Sequence, residues 1–510
     1  MSESGLFLDH NKLFDNEKYV RQRERKREFE NACPEEEVLQ TAAYSRSKEY
    51  MDKNFGRQAV VVNPAKACQP LGAVMAALGF EKTLPFIHGS QGCTAYFRSH
   101  FARHFKEPVP AVSSSMTEDG AVFGGMRNLI DGLETSIALY KPEMVAMSTT
   151  CMAEVIGDDL SAFIGNARRE GVLPEGMPIP FANTPSFSGS HINGYDNMLK
   201  AILSYLYDRA NDKGEVAGVG GKLNVLLGFE PYTGNFAELK RILGLFGAEC
   251  TVLGDHSENF DSGAEGSYNS YYGGTRLADV PAAAKAAGTL ALQKYSLRKT
   301  IGYLEEGWGQ RMQAMHTPLG ITATDRMLEA IAGLTGRPIP QSLMAERART
   351  VDAITDSHNY LHGKRVAMAG DPDMLLGLIG FCLELGMEPV HIVCSNGDAE
   401  FEQEARLLLS ASPYGAEAKV HCGRDLWHMR SLLFQEPVDL AVGSSHLKYA
   451  AKEAGVPLLR VGFPIFDRHH LQRYPVIGYQ GALNLLTLFV NTVLEQLDKE
   501  APAHSFDLVR

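Results

Sequence analysis

Residues 222–253 read KLNVLLGFEPYTGNFAELKRILGLFGAECTVL, and this stretch sets the fold class. The apolar run at 222–228 is short, ends in Gly228 and gives way to a loop. From 235 to 246 (NFAELKRILGLF) the apolar residues recur at helical spacing, and a second short apolar run follows at 250–253. Strand, turn, helix and strand in that order read as a parallel α/β unit, because parallel neighbours need a long crossover connection.

The same plan extends in both directions. Upstream, apolar runs at 58–62, 84–87 and 144–148 end in small or polar residues and lead into helical segments. Downstream, 364–369 (KRVAMA) is closed by Gly370-Asp371-Pro372-Asp373, which ends a strand and caps a helix, and strands are expected at 389–394, 440–443 and 458–461. The plan recurs without close sequence repetition. The expectation is an α/β protein of three Rossmann-like parallel-sheet domains at 56–215, 216–360 and 361–510. They follow an N-terminal helical extension over 1–55, rich in Glu, Lys and Arg and poor in strand formers.

A chain of 510 residues exceeds one hydrophobic core. Hydrophobic residues at 45% and charged residues at 22% match ordinary globular proteins. No run of about 18 uncharged apolar residues marks a transmembrane helix, and the N-terminus lacks a cationic start followed by an apolar stretch. A cytoplasmic location is the default expectation, with no membrane partner. The net charge of −12 and the absence of a long basic block argue against nucleic acid. The one basic run, Arg21 to Arg27, is interleaved with Glu24 and reads as a solvated or partner-covering helix face.

Eight cysteines are scattered through the chain and no CxxC occurs, so a metal site must be assembled from distant cysteines. Cys68 lies in VVVNPAKACQPLGA, Cys93 in LPFIHGSQGCTAYFRSH and Cys151 in MVAMSTTCMAEVIGDD. Each follows a short apolar run, in a loop that opens a helix, which is where open α/β sheets bind ligands. A helix N-terminus also favours the thiolate, and Gly89, Gly92 and Pro64 suit backbone that turns tightly. Cys250, Cys382 and Cys394 sit in apolar strand or helix patterns and read as small hydrophobes. Taken alone, the first trio fits either a shared metal site or three buried cysteines. Iron–sulfur clusters commonly take four cysteines, so three in equivalent settings point to a cluster completed by another chain.

At these residues a family enters. NPAKACQPLGA, IHGSQGC, STTCMAEVIGDD and NTPSFSGSHINGYDNM resemble nitrogenase component 1 (molybdenum–iron protein) β chains, and the likeness runs through nearly the whole sequence. The resemblance implies an α2β2 heterotetramer whose α and β chains share an [8Fe-7S] P-cluster, each giving three cysteines. The matching positions are Cys68, Cys93 and Cys151, and the serine of TPSF, Ser186, matches one that ligates the oxidised cluster. Tyr96 and Phe97 would pack near the cluster, with core aromatics as the plain alternative. Phe123, in TEDGAVFGGMRNL, matches the aromatic at which the ATP-hydrolysing iron protein docks; an ordinary buried Phe is the alternative.

The resemblance also implies a structural cation, iron or calcium, between two β chains. Glu107 of one would meet Asp352 and Asp356 of the other. Those aspartates are four apart and would share a helix face, where a hard cation relieves their repulsion. Lys106 stands where the family usually has arginine. The iron–molybdenum cofactor, where dinitrogen becomes ammonia, belongs to the α chain. ATP hydrolysis belongs to the iron protein, because no GxxxxGK[ST] sequence occurs here. Cofactor-assembly scaffolds, dark-operative protochlorophyllide reductases and vanadium or iron-only nitrogenases are the rival relatives. A scaffold chain should lack the complete cysteine set and Ser186. The reductases lack the long N-terminal extension and the alternative nitrogenases usually lack most of it.

Overall fold

A computed structural model of the chain describes residues 15–30, 33–57, 62–216 and 221–502. The strand expected at 58–62 falls largely outside them, as do residues 1–14, 31 and 32 of the expected extension. Two compact units are present, Met1–Arg57 and Gln58–Arg510.

In the first unit the described residues form helices α1 (Glu17–Glu30), α2 (Glu35–Ser45) and α3 (Lys48–Gly56). α1 carries the basic run and is exposed along 21–28, with ion pairs Arg21–Glu17 and Lys26–Glu30 at 3.4 Å on adjacent turns. Ser47 caps α3 by accepting the Tyr50 N–H at 3.1 Å.

The second unit is built on three parallel sheets. The first begins with α4 (Gln69–Leu78), β1 (Thr83–His88), α5 (Gln91–Phe105) and β2 (Val112–Ser113). It continues through α6 (Glu118–Phe123), α7 (Met126–Tyr140), β3 (Met144–Thr149), α8 (Cys151–Ile156), α9 (Leu160–Arg169), β4 (Phe181–Ala182) and α10 (His191–Asp212). Its strand order is β2-β1-β3-β4. Every residue of β1 and β3 is buried, which is why both read as unbroken apolar runs rather than alternation. The second sheet holds β5 (Leu223–Leu226), β6 (Cys250–Val252), β7 (Gly288–Ala291) and β8 (Met312–Ala314), in order β6-β5-β7-β8. The third holds β9 (Arg365–Ala369), β10 (Glu388–Cys394), β11 (Lys419–Cys422), β12 (Leu440–Gly443) and β13 (Leu458–Arg460), in order β11-β10-β9-β12-β13. The last helix, Gly478–Glu500, packs back onto Gln341–Leu361.

Two contacts set the frame. α4 and α10 cross with their backbones touching: a Cβ on Gly72 would lie 1.8 Å from the His191 carbonyl oxygen, and one on Gly194 would lie 1.8 Å from that of Gln69. The second contact is His104, wholly inside the fold. Its Nε2–H donates to the Pro231 carbonyl at 2.9 Å, and its Nδ1 accepts the Ile465 N–H at 2.8 Å. One imidazole thereby ties α5 to loops following β5 and β13. Asp371 sits at the helix N-cap expected for it, but its side chain makes no cap bond. It accepts instead from His191 Nε2 at 3.0 Å and Asn396 Nδ2 at 2.8 Å, two donors where a cap bond would supply one.

Two stability measurements follow. Gly72→Ala and Gly194→Ala force the crossing apart and should each cost about 1–3 kcal/mol or more, lowering Tm in thermal scans. Gly333→Ala, in a helix with open space around it, should leave Tm unchanged or raised; equal effects at all three positions would contradict the backbone contact. Burial lowers the His104 pKa from 6.5 to about 4, so protonation favours the unfolded chain. Its contribution is complete above pH 6.5 and is lost as pH falls toward 4, by about 3 kcal/mol at most. Denaturant midpoints measured across that window should fall with pH, and fall less steeply in His104→Gln.

Candidate functional site

Cys68, Cys93 and Cys151 occupy three helix openings of the first sheet. Cys68 is the N-cap of α4, in extended backbone. Cys93 lies in the first turn of α5, and Cys151 is the first residue of α8. Parallel pairing of β1 with β3 puts the last two loops side by side. Gly89 lets them close: at φ +139°, it leaves room where a Cβ would lie 1.8 Å from Thr150 Oγ1. The Thr150 N–H donates to the His88 carbonyl at 2.9 Å across the same gap.

The Ser186 loop is fastened to both neighbours. Thr184 N–H donates to Thr149 Oγ1 at 2.8 Å, and Thr184 Oγ1 returns a bond to the Thr149 carbonyl at 2.7 Å. Two residues on, the Ser186 N–H donates to Cys151 Sγ at 3.3 Å, and Ser186 Oγ accepts the Gln69 N–H at 3.3 Å. Gln69 itself is buried and clamps the loop through Nε2, which donates to the Pro185 carbonyl at 2.7 Å. Behind Cys68, the Ala67 N–H donates to His191 Nδ1 at 3.1 Å, which fixes the proton on His191 Nε2 facing Asp371.

The electrostatics agree with this proximity. Burial pushes the Cys93 thiol above its ordinary value, and the neighbouring Cys68 and Cys151 thiols push it the same way. The lowering expected at a helix N-terminus is outweighed at Cys93, because desolvation and like-charge neighbours both oppose the thiolate. Positive charge beside Cys93 would offset both effects on it. Among the described residues, no three His, Cys, Asp or Glu converge on a single-ion site. Thiols are the donor chemistry that an iron–sulfur core takes from protein. Among the described residues, Thr94 Oγ1 and Thr150 Oγ1 are buried with no hydrogen-bond partner.

Tyr96 and Phe97 separate. Phe97 is core at 1% exposed, whereas Tyr96 is 42% exposed and close enough to Cys68 for that thiol to raise its pKa, after burial. Phe123 ends α6 at 85% exposure, beside exposed Val122. The turn beyond it is held by Asp158, which accepts the Gly125 N–H at 3.1 Å and His88 Nε2–H at 2.8 Å. His88 is kept below its ordinary pKa by burial, so it is neutral and its Nδ1 accepts from Ser114 at 3.0 Å. Glu107 follows Lys106, which adopts φ +70°, and accepts from Ser262 Oγ at 3.4 Å. Asp352 and Asp356 are exposed on one face of Gln341–Leu361. Within one chain these three carboxylates are not gathered at one point. Gln69, His191 and Asp158 were not singled out from sequence and Asp371 only as part of a helix cap, although His191 lies inside NTPSFSGSHINGYDNM and Gln69 adjoins Cys68.

Comparison with known proteins bears on this arrangement. A family model described as nitrogenase component 1 type oxidoreductase matches residues 68–494, and one described as a domain of unknown function matches 5–54. A nitrogenase molybdenum–iron protein β chain from Frankia alni is 57% identical over 505 residues, 99% of this chain and 96% of the relative. The β chain from Azotobacter vinelandii is 49% identical, covering 98% of both chains. A solved structure titled nitrogenase Cp1 at pH 6.5 superposes with a TM-score of 0.84 at 36% identity, over 89% of this chain and 98% of that one. A second, of nitrogenase Cp1 at pH 5, shares the fold at a TM-score of 0.67 and 18% identity. By sequence over nearly its whole length and by fold, the chain belongs to the nitrogenase component 1 type oxidoreductases, alongside the molybdenum–iron protein β chains.

Proposed function

We propose that the chain acts as the β subunit of a molybdenum–iron nitrogenase, holding half of an [8Fe-7S] P-cluster and relaying electrons toward an iron–molybdenum cofactor in a partner α chain. The observation that carries this reading is the meeting of Cys68, Cys93 and Cys151 with Ser186 at one edge of the first sheet. When bound, such a cluster stores and releases electrons. Cys68, Cys93 and Cys151 supply its thiolates from this side, and three cysteines of the α chain supply the rest. The Ser186 hydroxyl is a hard, basic donor once deprotonated, suited to more oxidised iron, so its binding couples electron loss to loss of its own proton. The Ser186 N–H aimed at Cys151 Sγ withdraws charge from that sulfur, which shifts a cluster potential upward.

Around the thiols, Val155 and Phe187 are exposed at 76% and 69%, the kind of apolar surface a partner chain covers. Phe123 offers the docking iron protein a rigid aromatic anchor on a turn fixed by Asp158. ATP is hydrolysed on that partner. Glu107 from one copy, with Asp352 and Asp356 from another, would hold an iron or calcium ion within an α2β2 heterotetramer. The division into domains at 56–215, 216–360 and 361–510 and a cytoplasmic setting belong to the same reading. No described helix is long and apolar enough to cross a membrane.

Cys68→Ala, Cys93→Ala and Cys151→Ala should each lower the iron content of the purified complex and change its Mössbauer spectrum. Cys382→Ala, at a wholly buried cysteine of the third sheet's layer, should leave both as they are. Spectra indifferent to all three substitutions would remove the ligand assignment. Ser186→Ala should preserve the reduced cluster's signature while altering the oxidised one. Redox titration followed by EPR reads this directly, and curves coinciding with the parent at every potential would leave the serine without a ligand role.

A further inference from the structure

Two cysteines outside this site face each other. Cys394 ends β10, Cys422 ends β11, and they are register partners in a parallel pair. Register partners project from the same face, and neighbouring strands lie about 4.8 Å apart. That spacing falls inside the roughly 4.4–6.8 Å between Cα atoms that a disulfide spans. Both thiols are free, with Cys394 buried and Cys422 half-buried. β11 is an edge strand, so it can move toward β10 without breaking a ladder on its other side.

We propose that Cys394 and Cys422 form a redox-active dithiol, closed to a cross-strand disulfide by a small-molecule disulfide and reopened by thiols. Cys422, the accessible member, attacks the reagent's S–S bond as thiolate, forming a mixed disulfide and releasing one small thiol. Cys394 then attacks the Cys422 sulfur and expels the second. The protein gives up two electrons and two protons, and one small disulfide becomes two thiols. Burial, with Glu402 and Asp398 beside it, pushes the Cys422 thiol up to about 11. Burial holds Cys394 well above its ordinary value. Both thiols therefore stay protonated near neutral pH, and closure is slow.

The turns beyond this pair carry the loop of Cys68. Ser395 Oγ accepts the Ala65 N–H at 3.1 Å and donates to the Arg424 carbonyl at 2.7 Å. Asn396 donates to Asp371 at 2.8 Å, the carboxylate that orients His191 against the Ala67 N–H. Drawing Cys394 and Cys422 together shifts the acceptors of both amides just ahead of Cys68. The dithiol stands on the sheet geometry alone; its bearing on a cluster rests on the function proposed above.

The test treats the complete, anaerobically purified complex with oxidised glutathione, then alkylates, digests and maps it by mass spectrometry. A Cys394–Cys422 linked peptide is expected, absent from Cys422→Ser. Hydrogen exchange at the Ala65 and Ala67 amides should be severalfold faster in the oxidised parent than in that variant. Recovery of both cysteines alkylated, while the exposed Cys33 carries glutathione, overturns the dithiol. A linked peptide with unchanged exchange overturns the coupling to Cys68. Iron assayed on the same sample separates the two readings, since an iron-free preparation that still forms the link supports the dithiol while removing the cluster.

Discussion

The backbone contact between α4 and α10 is the constraint from which the site follows. Helix axes normally stand 8–10 Å apart, separated by side chains. Here Gly72 and Gly194 remove the side chains, so the openings of both helices are drawn together. One opening carries Cys68 and the other is preceded by the Ser186 loop, and Gln69 bridges them through its backbone N–H and side-chain amide. Without that close crossing, neither hydrogen bond spans the gap.

Sheet pairing supplies the other half. β1 and β3 are adjacent and parallel, so the loops of Cys93 and Cys151 emerge on one edge, and Gly89 and Thr150 interlock between them. Thr184 then ties the Ser186 loop to the end of β3. The third sheet contributes support rather than donors, through Asp371, Ser395 and Asn396. Polar contacts linked in this way fix geometry more strictly than packing alone.

Much of this was legible in the amino-acid sequence, for identifiable reasons. The central strands β1, β3, β5, β9, β10 and β12 are buried on both faces, so each appears as an apolar run ended by a turn residue. β2 and β4, two residues each, and β8, three residues, carry no periodicity to read. The cysteine trio stood out because each lies in a small or polar segment that opens a helix. Gln69, Asp158 and His191 were not, because their roles depend on partners 117, 33 and 180 residues away. Cys394 reads as a small hydrophobe and is buried as such. Its opposite number, Cys422, escaped notice because strand adjacency cannot be inferred from either segment alone. Asp371 illustrates a further limit: its position fits a helix cap, and two distant side-chain donors, His191 and Asn396, claim its carboxylate instead.

Helix α1 has a different basis from everything above. It is exposed along 21–28 and strongly polar; Asn16 Oδ1 accepts the Lys18 and Tyr19 N–H groups at its start, and two ion pairs join exposed side chains along it. Fourteen residues are marginal for a helix without tertiary burial, and each such pair adds only about 0.3–0.5 kcal/mol. Dissolved ions screen these attractions within about 8–10 Å at physiological strength. Dissolved salt therefore weakens these pairs in α1 first, while the sheets, held by burial, are largely indifferent to it.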